Sequence, residues 1–258
     1  MTTPRIYLPQ FLQKGDSCIL RGSNLKYVKS VLRMKAGERI FLFDGRGHQC
    51  EGVLKRYTDE GALITIVEKQ GIHANPVGIH LFQSLPKAGM MDFIVEKATE
   101  LGVERITPFA AVRSVGKVPQ EKIPAKCLRW QKIAQEAARK CGRANIPEVA
   151  GIISFDDVLT APVEDDMKLI FWEEEKTVTL KQIFRQAKTK EAKAFSVIIG
   201  PEGGFTAEEV DLAVKHGFTS VSLGNQVLKV DTAVMAALTV IQYEKGIFSG
   251  AGEGGKQP

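Results

Sequence analysis

The chain carries few of the covalent or membrane anchors that would define it at once. Its four cysteines, Cys18, Cys50, Cys127 and Cys141, are scattered, with no CxxC pair and no histidine cluster beside them. That pattern argues against a structural zinc site or a disulfide framework, so no metal is expected, and it suits a reducing compartment. No apolar run reaches 18 residues, the length needed to span a bilayer. The opening stretch, MTTPRIYLPQ, lacks the basic-then-apolar order of a signal peptide, and a cytoplasmic protein without a membrane partner is expected. No segment repeats. Two common phosphate-loop signatures are also missing: GxxxxGK followed by Ser or Thr, and GxGxxG.

The 258 residues are 44% hydrophobic, which is ample for a packed core and allows one large domain or two modest ones. The net charge is +5 and the sequence pI about 8.9. A mild positive balance fits a polyanionic partner, since phosphate neutralisation drives non-specific nucleic-acid affinity. Many ordinary enzymes carry as much, so the location of the charge says more than its sum.

Residues 1–70 read as a small β-rich unit. ERIFLFDGRGHQCEGVLKR has two apolar runs around Asp44-Gly45, a tight-turn signal, and ALITIVEK (62–69) supplies another strand. Before them, NLKYVKSVLRMKAGE predicts a helix capped by Asn24 and ended by Gly37, with Leu25, Val28, Val31 and Leu32 on one face. The other face carries Lys26, Lys29, Arg33 and Lys35. It reads either as a solvated face or as an RNA-backbone contact, the latter helped by Arg5, Arg39 and Arg46 in the same unit.

GIHANP (71–76) has the composition of a linker, after which strands and helices alternate. VGIHLFQSL, RITPFAA, MKLIFW, AFSVIIG and TSVSLG read as strands. KAGMMDFIVEKATELGV, QEKIPAKCLRWQKIAQEAARKCGR, LKQIFRQAK, TAEEVDLAVKHG (with a capping box, Thr206 to Glu209) and DTAVMAALTVIQYEKG read as helices. This alternation over 77–248 predicts an α/β domain with a parallel sheet flanked by helices. The tail, 249–258, has no core-forming residues and reads as disordered.

In such domains ligands sit at the carboxyl ends of strands. Three strand-end loops stand out: SLPKAG (84–89), GPEGGF (200–205) and LGNQVLKVDTA (223–233). Gly200, Gly203 and Gly204 permit tight turns and close ligand approach, and Pro201 stiffens the loop. Glu202 stands where a phosphate loop would carry lysine, so the ligand expected is one without phosphate. A plain helix-capping turn is the other reading. Val227 and Leu228 are apolar in a loop where polar residues are usual; they serve as a floor for an adenine ring or tuck into the core.

Together, IGPEGGFTAEEV and SLGNQVLKVDTAVMAAL resemble the RsmE-type family of 16S ribosomal RNA (uridine-N3) methyltransferases, of the SPOUT superfamily. The similarity covers nearly the whole chain. RIYLPQ and YVKSVLRMKAGERIFLFDGRG look like the family's PUA-like RNA-binding domain, and LPKAGMMDFIVEKATELGVERITPF, RSV (113–115) and RWQKIAQEAARKCGRANIP like its catalytic domain. The resemblance implies a SPOUT-type domain with a C-terminal deep trefoil knot and a homodimer. It also implies S-adenosylmethionine (SAM) as cofactor, and 16S ribosomal RNA, within the assembled small subunit, as partner. It places the cofactor on Ile199, Gly200, Pro201, Glu202, Gly203, Gly204, Leu223, Gly224, Val227, Leu228, Thr232 and Ala233, with Leu85 joining from the first loop and Glu173 meeting the ribose or amine. RNA contacts fall to Arg5, Lys26, Lys29, Arg33 and Arg46, chiefly on phosphates.

Loss of the uridine N3 proton would be helped by a cation near O2 or O4, and Arg5, Lys97, Arg113 and Arg143 lie in family-like segments. Glu100 and Glu136 are candidate bases, though both sit on charged helices where ion pairing is the alternative. The chain departs from the family's L-G-x-R-I-L-R-x-E-T-A pattern at Gln226, Lys229 and Asp231, and from its EAAEQ-type helix at Arg139 and Lys140. Those departures leave open a different RNA target or an inactive RNA-binding homologue.

Overall fold

The computed structural model describes residues 3–70, 77–87, 89–116, 118–162 and 165–248. The expected linker (71–76) and tail (249–258) lie outside the described residues. The chain forms two compact units: Met1–Ala74 with Gln135–Ile146, and Asn75–Ala134 with Pro147–Pro258.

The first unit is a five-stranded sheet. Its strands are β1 (Arg5–Tyr7), β2 (Ser17–Leu20), β3 (Arg39–Phe43), β4 (Gln49–Thr58) and β5 (Gly61–Gln70), in the order β1-β3-β4-β5-β2. β1 pairs parallel to β3; the other neighbours are antiparallel. Alternation puts Ile40, Leu42, Leu54, Ile64 and Ile66 into one core with Leu20 and Val28, each such side chain contributing roughly 1.5–3 kcal/mol on burial.

The expected helix over 24–36 is shorter and differently wound. α1 (Gly22–Lys26) leads into a π-type turn, Tyr27–Val31, closed by the Leu32 N–H donating to the Tyr27 carbonyl at 2.9 Å. Asn24 is not its cap: the cap position is Arg21, and the Asn24 amide donates to the Tyr7 carbonyl. The wider π turn rotates Val31 off the core face, where it is 63% exposed, while Val28 stays buried. The DGRGH stretch is a five-residue loop, in which Asp44 accepts from the N–H groups of Arg46 and His48. Residues of 135–146 join this unit by pairing with that loop: Gly47 N–H donates to the Ala144 carbonyl and Ile146 N–H to the Gly45 carbonyl.

The second unit runs β6 (Gly78–Ser84), α2 (Met90–Glu100), β7 (Arg105–Ala110), a 3-10 turn (Gln120–Lys122), α3 (Ile123–Cys141, whose end belongs to the first unit), β8 (Glu148–Val149), β9 (Ile153–Ser154), α4 (Phe155–Thr160), β10 (Met167–Phe171), α5 (Leu180–Arg185), α6 (Ala187–Glu191), β11 (Ala194–Ile199), α7 (Ala207–Lys215), β12 (Thr219–Val221) and α8 (Val230–Glu244). The strand order is β12-β10-β11-β6-β7-β8, with β9 beside β7, and every pairing is parallel. β11 and β6 are buried along nearly their whole length, as strands covered on both faces must be.

The Thr206–Glu209 capping box is present at α7. Where one helix was expected over 180–188, Gln186 is extended and separates α5 from α6, which buries Thr189 against Met167. Among the described residues no helix is long and apolar enough to cross a membrane.

Candidate functional site

At the carboxyl ends of β10, β11 and β12, three loops and the start of α8 enclose a solvent-open cleft. β10 delivers Phe171, Trp172 and Glu173; β11 delivers Ile199, Gly200, Pro201 and Gly204. The segment after β12 adds Ser222, Leu223, Gly224, Gln226 and Leu228, and α8 adds Val230 and Ala233. All belong to the second unit.

The glycine loop has a defined shape. The Gly204 N–H donates to the Pro201 carbonyl at 3.0 Å, closing a turn that leaves Gly204 at φ +67°. A Cβ built there would lie 1.7 Å from Glu173 Oε1, so the carboxylate occupies the space that only glycine leaves free. Two side chains tie the loop to its surroundings. Glu202 accepts from the Lys87 N–H at 2.9 Å, and Arg113 Nη1 donates to the carbonyls of Gly203 (3.1 Å) and Phe205 (3.3 Å). The turn carrying Arg113 is held by the buried Glu209, whose two carboxylate oxygens accept from the N–H groups of Val112 and Thr206. Opposite, Ser222 both accepts from the Gly224 N–H and donates to its carbonyl.

The chemistry of the lining is one-sided. Phe171, Trp172, Ile199, Leu223, Leu228 and Val230 are apolar or aromatic, and Glu173 is the charged side chain among them; no Lys, Arg or His is among the lining residues. An anionic ligand would find no counter-charge here, whereas a flat apolar ring with a cationic group would. The Trp172 Nε1–H is buried with no partner among the described residues, a donor without an acceptor beside a cleft.

Of the residues expected to hold a cofactor, Glu173, Ile199, Gly200, Pro201, Gly204, Leu223, Gly224, Leu228 and Ala233 come together on this lining. Glu202 and Gly203 face Lys87 and Arg113 as described, with Gly203's absent Cβ 3.1 Å from Arg113 Cβ. Val227 points to solvent at 79% exposure and Thr232 is exposed on α8. Leu85 is buried and lines a separate cavity with Met91 and Trp130. Phe171, Trp172, Ser222, Gln226 and Val230 also line the cleft and were not expected. The register of β10 beside β11, pairing Phe171 with Ile199, is what places the first two there.

Of the four candidate cations, Arg5 and Arg143 belong to the first unit, and Lys97 and Arg113 to the second. Arg113 touches the glycine loop. Lys97 is held by Glu96 and Glu100, each at 3.0 Å, and its pKa is raised by the hydrogen bonds to Glu100 first and Glu96 second. Arg5, in the first unit, is half-buried over the Phe43 ring, bonds the Gln49 side chain and donates to the Arg143 carbonyl at 3.0 Å; burial lowers its pKa. The candidate bases are engaged too: Glu100 by Lys97, and Glu136 by Arg139 at 2.7 Å. Among the RNA candidates Lys26, Lys29, Arg33 and Arg46 are exposed, with Lys29 Nζ 5.6 Å from the Tyr57 ring centroid and Arg33 in the left-handed region at φ 54°. Among the described residues no group of three or more His, Cys, Asp or Glu is placed to hold a metal.

Comparison with known proteins matches two domain families. An RNA methyltransferase domain family matches residues 73–242, and an RNA methyltransferase PUA domain family matches 20–67. The ribosomal RNA small subunit methyltransferase E of Buchnera aphidicola subsp. Schizaphis graminum is 30% identical over 247 residues, covering 95% of this chain and 98% of its own. The Bacillus subtilis protein of the same name is 28% identical, over 93% of this chain and 95% of its own. Among solved structures, a ribosomal RNA small subunit methyltransferase E from Neisseria gonorrhoeae, bound to S-adenosyl methionine, superposes with a TM-score of 0.84 at 31% identity, over 94% of this chain and 98% of that one.

Proposed function

The chain belongs to the ribosomal RNA small subunit methyltransferase E family, and from that premise we propose that it methylates N3 of a uridine in 16S ribosomal RNA, using S-adenosylmethionine. The observation that carries this reading is the cleft: glycine-walled, apolar, with one carboxylate and no lining cation. S-adenosylmethionine supplies an electrophilic methyl on a positively charged sulfonium and carries no phosphate. The residues fit it on two counts. The buried Trp172 Nε1–H offers an unused donor, and the Gly204 backbone leaves room for the Glu173 carboxylate, which suits an amine or ribose hydroxyls.

The rest of the work falls to the chain's own groups. Backbone groups of 200–204 and 222–226 hold the ligand's polar edges, and Trp172, Leu223 and Leu228 exclude water from its ring. Positioning the uridine in line with the methyl can supply several kcal/mol of the barrier. A cation near O2 or O4 of the base would stabilise the charge left when the N3 proton departs, and Arg5, Lys97 and Arg143 are the candidates for that role. Arg113 is instead the residue that holds the Gly203 and Phe205 carbonyls.

The first unit, with Lys26, Lys29, Arg33 and Arg46 exposed, serves as the RNA-backbone contact. The protein works in the cytoplasm as a homodimer, its C-terminal loops forming the trefoil knot implied by the resemblance, on RNA within the small subunit. The test is transfer of labelled methyl from S-adenosylmethionine to naked 16S RNA and to purified small subunits. Label in 3-methyluridine supports the reading. Absence of cofactor binding at high micromolar concentration by calorimetry points to an inactive RNA-binding homologue, and label in another base or another RNA to a different target.

A further inference from the structure

The first unit contains a cavity of its own, of about 220 Å³, formed where residues 135–139 meet α1 and the π turn. It shares no lining residue with the cofactor cleft. One wall is a cation–π pair: the Arg139 guanidinium carbon lies over the Tyr27 ring, 4.7 Å from its centroid, and Arg139 Nη1 donates to the Tyr27 hydroxyl at 2.7 Å. Arg139 is locked further by Glu136, whose Oε2 accepts from both Nε (3.1 Å) and Nη2 (2.7 Å).

That geometry leaves hydrogen-bonding groups unspent at the cavity. Glu136 Oε1 takes no part in the pair with Arg139. The Asn24 amide nitrogen is used on the Tyr7 carbonyl, leaving its oxygen as an acceptor. Among the described residues the Gln135 amide and the Ser23 hydroxyl have no partner either. The residues lining the cavity beside this cationic wall thus carry two acceptors, one amide with both donor and acceptor, and one hydroxyl. A phosphate is disfavoured by Glu136, and an aliphatic ligand would strand the polar groups. A planar ring with alternating donors and acceptors on its edge satisfies both. An apolar cavity of about 150 Å³ already admits a benzene-sized ring, so the volume here accommodates a single-ring base.

We propose that this cavity receives an unpaired pyrimidine base of the RNA. The base stacks on the Tyr27–Arg139 pair and is read on its edge by Gln135, Asn24 and Glu136. This rests on the RNA methyltransferase reading for its partner, and it gives the RNA a point of purchase beyond phosphate contacts, since single-stranded RNA is recognised by stacking and by base edges.

The experiment measures binding of labelled RNA pentamers of equal charge to the full-length protein: pentauridine, pentaadenosine and a fully abasic pentamer. Wild type is expected to hold pentauridine about tenfold more tightly than the abasic chain, in keeping with the usual worth of one stacked base, and more tightly than pentaadenosine. Gln135→Leu, which alters no charge, and Arg139→Lys, which keeps the charge but loses the planar fork, are each expected to erase most of that difference. Cofactor affinity and the salt dependence of abasic binding should not change, and an unchanged melting temperature together with unchanged abasic binding reports that the first unit, which holds both residues, has folded. Equal binding of pentauridine and the abasic chain by wild type overturns the proposal, as does a base preference that survives in both variants. Pentaadenosine binding as tightly as pentauridine overturns the pyrimidine assignment. A base preference in a protein that transfers no methyl group would leave the cavity standing and remove the enzymatic reading instead.

Discussion

Replacing Gly204 by alanine tests the cleft most sharply. The residue sits at φ +67°, where a side chain costs roughly 1–2 kcal/mol of backbone strain. The new Cβ would also fall 1.7 Å from Glu173 Oε1 and 2.7 Å from its carboxyl carbon, an overlap only displacement of Glu173 can relieve. The strain lowers the melting temperature by a few degrees, at about 2–4 °C per kcal/mol for a chain of this size. The displaced carboxylate no longer meets the ligand, and loss of one charge-assisted hydrogen bond, about 1.5–3 kcal/mol, weakens S-adenosylmethionine binding roughly ten- to a hundredfold. Calorimetric titration reads the affinity, and a thermal melt reads the stability. Gly203→Ala is the control: its Cβ meets Arg113 Cβ at 3.1 Å and the Arg113 carbonyl at 3.4 Å, without a positive φ, so affinity should change by no more than about threefold. Combining Glu173→Ala with Gly204→Ala removes the overlap and should recover part of the melting temperature but none of the affinity. Wild-type affinity in Gly204→Ala would refute the assignment of this loop to the cofactor.

Arg113→Ala removes two hydrogen bonds to the loop carbonyls from an exposed side chain. It should raise KM for the cofactor about fivefold, equivalent to roughly 1 kcal/mol, with kcat little changed; a fall in kcat of a hundredfold at constant KM would place Arg113 on the reacting base instead. His80 is buried beside Thr107 and Phe82, and burial first, then the charge of Arg105, lowers its pKa from 6.5 to about 3. The unfolded chain thus binds a proton below pH 6.5 that the folded chain refuses, so stability should fall as pH drops from about 6.5 towards 3. Denaturant melts of wild type and His80→Gln between pH 7 and 4 should show a gap that changes with pH; parallel curves would show that His80 titrates normally.

Much of the second unit was legible because its signals are local and redundant. Apolar runs such as AFSVIIG became buried parallel strands, and the Thr206–Glu209 pair announced the start of α7. The glycine loop was legible as a tight turn for the same reason, since missing side chains are written in residue type, and it lines the cleft. Less was visible where long-range pairing decides. β1 and β2 are short edge strands whose existence depends on partners at Phe41–Phe43 and Ala62–Thr65. The π turn that turns Val31 outward breaks the helical period on which the expected face was drawn. Phe171 reached the cleft through strand register, its pairing with Ile199, which residue type does not reveal. Val227 and Leu228 are both apolar and both read as adenine floor or core, yet Leu228 lines the cleft while Val227 faces solvent. In the loop after β12, hydropathy could not say which of two adjacent apolar residues turns inward.

Methylation of uridine N3 in 16S ribosomal RNA is tested by mass mapping of nucleosides from the 16S RNA of cells lacking this gene, complemented either by the wild type or by Gly204→Ala. 3-Methyluridine should be lost without the gene, restored by the wild type and not restored by the variant. Undiminished 3-methyluridine in the deletion strain would contradict the assignment.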